Sequence, residues 1–408
     1  MKLIGPFSQI LTLGNLALKG ALHDYELQIE IEAGVLVDNS KVIKTGDFQK
    51  LRKENPNSAI EEIFEDAVLL PGFVDCHTHS CFAGSRAMDF AERNAGTSYL
   101  DIAAKGGGIW SSVSQTREAS DEKLKKLTEE RVNGFLKNGI TTIEIKTGYG
   151  LSVEHEIRLL NIINNLDTKA FIVSTCLAAH VKPRDFEGSS KEYLEHLVNE
   201  LLPSIKKLSK RIDIFTEKSA FDIEESTAYL QKAKDLGFEI TVHADQFTFG
   251  ASKMAVALHA LSADHLEAIN EEGIKILAQS DTVAVALPGA SIGLGEPFTP
   301  ARKLLDAGAC LAIASDYNPG SAPMGDLLTQ AAILATFEKL STAEVLAGLT
   351  FRAAKALNIN TIGKIEKGFQ ADFQAYPTSD YREILYHQGQ MKPNAVWKSG
   401  INISTQNI

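Results

Sequence analysis

Val68-Leu69-Leu70-Pro71-Gly72-Phe73-Val74-Asp75-Cys76-His77-Thr78-His79 is an apolar, strand-like run that ends in two histidines two residues apart. In an extended segment side chains alternate between faces, so His77 and His79 point the same way. Two imidazoles on one face at a strand's end can share a divalent metal ion. Alone, such a pair is more often two histidines that merely hydrogen-bond their surroundings. The rest of the chain separates the two readings.

Downstream of this run, short apolar stretches alternate with amphipathic stretches of helical period, the pattern of repeated strand-helix units and a parallel sheet. The apolar runs are 69–74, 141–146, 171–176, 212–216, 240–243, 261–265, 282–287 and 311–314. Eight such units over roughly 285 residues match a closed (β/α)8 TIM-type barrel. Residues 121–137, with Leu124, Leu127, Val132 and Leu136 on one stripe, form the clearest intervening helix, and 222–235 and 342–356 are others. Before residue 68 the texture changes to hairpin-type β structure, with alternation on either side of Ala33-Gly34 and a turn at Asp38-Asn39-Ser40. The same texture returns in Gly363–Phe373 and Ala395–Gly400. The expected fold class is therefore α/β: a barrel domain over 69–358, inserted in a small β-sandwich domain built from both termini, 1–68 and 359–408.

Composition sets the outer bounds. A chain of 408 residues with 44% hydrophobic and 23% charged residues is globular rather than disordered or fibrous. A net charge of −11, without a long Lys/Arg run, argues against nucleic acid as a partner. The cysteines Cys76, Cys81, Cys176 and Cys310 show no C-x-x-C spacing, which points to a reducing compartment. No signal-peptide core builds up near the start, and no stretch of about 18 apolar residues exists. A cytoplasmic protein without a membrane partner is expected.

In such a barrel the active site lies at the C-terminal ends of the strands, so the polar residues closing each run should converge. Strand one ends in His77 and His79, strand three in His180, strand five in His243, strand six in Asp264-His265 and strand eight in Ser315-Asp316. Five of the ten histidines thus sit at strand ends, which chance placement explains poorly. A catalytic zinc or iron wants three or four N/O ligands, and His77, His79, His243 and Asp316 supply such a set. A water on that ion would have its pKa lowered toward neutrality. His265, left off the ion, is suited to general acid/base work.

The run Pro71–His79 resembles the amidohydrolase superfamily of metal-dependent hydrolases. Further stretches are similar to the imidazolonepropionases within it: Gly84-Ser85-Arg86, Ser98–Ile102, Gly106-Gly107-Gly108-Ile109, Glu144–Leu151, Ala179-His180, His243–Gln246, Ser262–His265 and Ser315–Ser321. The resemblance implies that the substrate is the small molecule 4-imidazolone-5-propanoate, whose ring opens to N-formimidoyl-L-glutamate in histidine breakdown. It further implies one metal ion, zinc or ferrous or ferric iron, and carries an expectation of a homodimer. The family's pattern places Arg86, Tyr149 and His180 on the substrate and Asn318, Gly320 and Ser321 at the product site. Arginine suits a propionate because its planar fork can give two parallel hydrogen bonds. Otherwise Arg86 is a surface arginine, Tyr149 a loop aromatic over the barrel, and Gly320-Ser321 a plain turn. Family members often carry Glu three residues after the strand-five histidine. Here that residue is Gln246, whose amide cannot take a proton; it is left to orient the ring, and Asp316 becomes the expected base. Lys146 reads as a rim lysine without a role, and Lys218 as a solvated charge.

Overall fold

The computed structural model describes residues 1–97 and 106–404. The motif Ser98–Ile102 lies outside them. Eight parallel strands, Phe73–Asp75, Ile140–Lys146, Phe171–Ala179, Arg211–Ile214, Glu239–Ala244, Ser262–His265, Val283–Ala286 and Leu311–Ile313, pair with their neighbours in chain order. Parallel neighbours require crossover connections, and helices supply most of them. The first and last strands meet just beyond their ends. There Thr78 bridges Tyr317, His77 accepts from Asp316 N at 3.0 Å, and His79 N donates to Tyr317 O at 2.8 Å. Asp75 tightens the same seam by accepting from Ser315 N at 3.1 Å. The seam of the barrel and its histidine pair are therefore one piece of structure.

The opening run divides where the sequence suggests one strand. Val68–Pro71 belongs to a second sheet, parallel to Lys2–Leu11 and antiparallel to Phe373–Tyr376, and only Phe73–Asp75 enters the barrel. Gly72 makes the crossing. Its N–H donates to Asp372 O at 2.9 Å, whereas the next residue, Phe73, donates to Gly139 O at 2.9 Å. A Cβ on Gly72 would lie 2.3 Å from Thr141 Oγ1, so only glycine lets the two sheets come this close.

The second sheet is mixed and has eight strands drawn from both ends of the chain, running from Ile401–Asn402 through Ala395–Lys398, Phe373–Tyr376, Val68–Pro71, Lys2–Leu11 and Ile29–Asp38 to Lys41–Asp47. Ala59–Glu62 also pairs with Lys2–Leu11. The rings of Phe7 and Trp397 meet edge to face at 6.1 Å although their strands are three apart in the sheet order. In a flat sheet that separation would be about 14 Å, so the sheet curls over on itself. Ile4, Phe7, Ile10, Val35, Leu69, Phe373 and Trp397 fill the enclosed core. Ile29–Asp38 runs unbroken through Ala33-Gly34, and the hairpin turns instead at Asn39-Ser40, both at positive φ (46° and 65°).

The outer helices follow their apolar stripes. Asp121–Lys137 starts on a Ser120 cap and buries Leu124, Val132, Phe135 and Leu136. Ile223–Asp235 starts on a capping box of Asp222 and Glu225. The segment 342–356 is two helices, Thr342–Gly348 and Phe351–Ala356. The break falls at Thr350, whose φ of −130° and ψ of −103° are not helical.

Candidate active site

His77, Thr78 and His79 leave the first strand still extended. The hydroxyl of Thr78 turns away from the barrel mouth, donating to Glu144 O at 2.7 Å, while the two flanking imidazoles face inward. Three other mouth residues adopt positive φ without being glycine: Asp245 (52°), His265 (88°) and Asp316 (50°). Such backbone costs roughly 1–3 kcal/mol at each position and persists where surrounding structure enforces it. Here the enforcement is visible. Asp245 accepts from Gly250 N and Ser252 N at 2.9 and 3.1 Å, and Asp316 N is locked to His77 O.

His79 Nε2 lies 3.3 Å from His77 Nε2 and 3.3 Å from His243 Nε2. The three residues are buried, and among the described residues they form the one group of three with ligand atoms close enough to hold a metal ion. Nitrogens on a tetrahedral ion with arms near 2.1 Å stand about 3.4 Å apart, so the spacing fits zinc or a similar ion. Asp316 Oδ1 lies 3.6 Å from His77 Nε2 and 3.4 Å from His79 Nε2, on the same side. The far nitrogens face carboxylates: His77 Nδ1 donates to Asp264 Oδ2 at 2.6 Å, and His243 Nδ1 lies 3.0 Å from Asp213 Oδ2, close but outside hydrogen-bond geometry. A proton held on Nδ1 leaves the Nε2 lone pair free to coordinate.

The electrostatics favour neutral rings. Burial, then the charge of Lys146, holds His77 well below the ordinary histidine range. Burial takes His243 down to about 4 despite the pull of Asp213. Both are neutral imidazoles at pH 7, the form that binds metal. Burial pushes Asp316 up, but the hydrogen bond and charge of His79, and then the charge of His265, outweigh it and hold it below the usual carboxylate value. His265 behaves oppositely. Burial disfavours its charged form, yet Glu267, whose Oε1 lies 3.4 Å from Nδ1, and then Asp316 and Asp264 raise it above the usual value.

Beneath the imidazoles lies a charged layer. Lys146 is not a rim residue: its side chain is fully buried, with Nζ 2.8 Å from both Glu144 Oε1 and Asp213 Oδ2. From the sequence, Glu144 and Asp213 carry no assigned role and Asp264 is named only as closing strand six, although a signal exists. Thr-Ile-Glu-Ile-Lys at 142–146 and Arg-Ile-Asp-Ile at 211–214 put charged residues on the inward face of barrel strands, where each must find a partner. Glu156 is a further omission; fully buried, it accepts from Gly150 N and Leu151 N at 2.8 and 2.7 Å and so holds the loop carrying Tyr149. Lys218 is exposed.

Around the mouth, His180 stacks on His79 with ring centroids 5.4 Å apart, and Tyr149 stands 5.8 Å from His180 and 6.2 Å from His79. Arg86 borders a cavity of about 340 Å³ with Phe82, Tyr317 and Gly320. Its guanidinium lies so close over Gly320 that a Cβ there would come 2.3 Å from Nη1. Asp89 accepts from Arg86 Nε at 2.8 Å and from Gly108 N at 2.9 Å, so the glycine run is tied to the arginine; Gly108 itself needs φ of 74°. Asn318 spends its amide on its own loop, accepting from Gly320 N and Ser321 N at 2.7 and 2.8 Å and donating to Ser321 Oγ at 2.9 Å. Ser321 Oγ in turn lies 3.4 Å from Asp316 Oδ2. Gln246 is half-buried and lines a small cleft with Phe247 and Glu267, on the His265 side of the mouth.

The chain belongs to the amidohydrolase family, whose model matches residues 68–402. Within that family it groups with the imidazolonepropionases, hydrolases of a C–N bond in a cyclic amide. It is 39% identical over 407 residues to the imidazolonepropionase of Bdellovibrio bacteriovorus, covering 98% of this chain and 95% of that protein. It is also 39% identical to that of Caldanaerobacter subterraneus subsp. tengcongensis, covering 92% and 91%. Among solved structures, a guanine deaminase from C. acetobutylicum matches with a TM-score of 0.72 at 15% identity, over 98% of this chain and 99% of that one. A zinc-bound adenosine deaminase from Xanthomonas campestris matches with a TM-score of 0.69 at 19% identity, over 98% and 92%. Identities this low show the shared fold alone.

Proposed function

We propose that His77, His79, His243 and Asp316 hold one metal ion, zinc or iron, and that the site around it opens the ring of 4-imidazolone-5-propanoate to N-formimidoyl-L-glutamate. The observation that carries this reading is that His79 Nε2 stands 3.3 Å from both His77 Nε2 and His243 Nε2, with the Asp316 carboxylate beside them. The bound ion supplies Lewis acidity and a water whose pKa is brought toward neutrality. Asp316, kept ionised, takes the proton of the attacking water as its oxygen bonds to the ring carbonyl carbon. His265, whose pKa Glu267 raises, donates a hydrogen bond in its protonated form to the oxygen on which negative charge develops. The ring C–N bond then breaks, and a proton from Asp316 or His265 passes to the leaving nitrogen.

Substrate orientation falls to the residues at the mouth. Arg86, with 11% of its side chain exposed, grips the propionate, and Tyr149 and His180 flank the ring. Gln246 orients the ring by hydrogen bonding, and Asn318, Gly320 and Ser321 shape the side where product forms. Four free, buried cysteines support a reducing, cytoplasmic setting, and among the described residues no helix is long and apolar enough to cross a membrane. We expect a homodimer, which sedimentation would decide. Metal analysis of the purified protein, together with an assay on imidazolonepropionate, tests the whole reading. Protein that turns over the substrate equally well with no metal bound would overturn it.

A further inference from the structure

Three barrel strands bring charged side chains to one point under the imidazoles. Lys146 Nζ lies 2.8 Å from Glu144 Oε1, 2.8 Å from Asp213 Oδ2 and 3.9 Å from Asp264 Oδ2, and all four side chains are at most 1% exposed. Two of these carboxylates each face a second partner: Asp213 lies against His243 Nδ1 at 3.0 Å and Asp264 against His77 Nδ1 at 2.6 Å. One ammonium therefore sits at the centre of two parallel chains of contact, Lys146–Asp213–His243 and Lys146–Asp264–His77.

We propose that Lys146 is a positioning residue for the metal centre: it is a built-in cation that holds Asp213 and Asp264 in place, so that His243 and His77 keep their protons on Nδ1 and aim Nε2 at the ion. The physical need is plain. Three carboxylates gathered around one buried point repel and cannot be hydrated, so without the ammonium between them at least one turns away. That movement releases the imidazole it orients. Carboxylates that orient ligand histidines influence metal affinity, and here a single lysine sets two of them at once. Through Asp213 and Asp264 the lysine also ties strand two to strands four and six at the depth where the ligands emerge.

The inference rests on the reading of His77, His79 and His243 as ligands, and one titration separates the two. Metal-free parent protein and Lys146→Met are titrated with Zn2+ against a chromophoric chelator. A parent that takes up no stoichiometric zinc overturns the ligand reading itself. Given a parent that binds, Lys146→Met is expected to bind zinc about tenfold to a hundredfold more weakly, with KM for the substrate unchanged once the metal is saturating. A folded Lys146→Met whose zinc affinity is within twofold of the parent overturns the inference. Should that variant not fold, Glu144→Gln decides, because it weakens one 2.8 Å contact to the ammonium and touches neither histidine-carboxylate pair. A several-fold loss of zinc affinity is expected there, and parental affinity refutes the role.

Discussion

Asp316 is buried, ionised and held at φ of 50°, an arrangement that spends backbone strain to bring one carboxylate to two imidazoles. Asp316→Asn keeps the shape and removes the basic oxygen, so kcat should fall by about 10²–10⁴-fold with the fold intact; a near-parental rate would take Asp316 out of the base role. Arg86→Ala should raise KM about tenfold or more through loss of charge-assisted hydrogen bonds, with a smaller change in kcat. A larger effect on kcat would mean that Arg86 serves the transition state. Glu267 offers a test by pH. Its negative charge raises the pKa of His265, so Glu267→Gln lowers it, and a step that needs protonated His265 loses its basic limb at a lower pH than in the parent. An unmoved limb in the kcat profile would exclude His265 as the group titrating there. At this scale the strand-end histidines and Asp316 are readable in the sequence because a strand's alternation dictates where they point. Lys146 is not, because a lysine leading into the Thr147-Gly148 loop has the look of a rim residue, and only its three carboxylate neighbours reverse that.

Among the elements, the eight barrel strands are readable from their apolar runs, since a strand covered on both faces needs an unbroken apolar stretch. Where one element ends is less readable. The run 69–74 looks continuous, yet Pro71 pairs with Phe373 in the terminal sheet and Phe73 with Ile140 in the barrel. Composition carries no mark of that exchange beyond Gly72, and glycine has many other uses. Gly72→Ala should therefore cost about 1–3 kcal/mol of stability through overpacking against Thr141, measured by denaturant unfolding, and Thr141→Ala in the same chain should return most of it. Loss unaffected by the second change would mean that the strain lies elsewhere. Likewise 342–356 reads as one helix from its apolar stripe, but the chain kinks at Thr350, whose hydroxyl donates to Leu346 O at 2.6 Å and whose side chain is wholly buried.

For the whole molecule, both termini close over one curled sheet while the barrel they flank gathers its functional side chains at the opposite ends of its strands. A metal held by His77, His79, His243 and Asp316, as proposed above, would staple the barrel's seam as well as serve chemistry. Removing it with a chelator should abolish turnover and lower Tm, and readdition of zinc or iron should restore both; at free metal a hundredfold above Kd the linkage is about 2.7 kcal/mol. An unchanged Tm with activity lost would place the metal in chemistry alone. The amino-acid order by itself determines the strand count, the helix faces and the pairing of His77 with His79, because each depends on neighbours within a few residues. Only the tertiary structure decides that His77 rests on Asp264, 187 residues away, that Asp213 backs His243, and that Lys146 joins the two. Such contacts are made by side chains from strands far apart in the chain, and their strength comes from being sealed from water inside the closed barrel, a condition that no local stretch of sequence expresses.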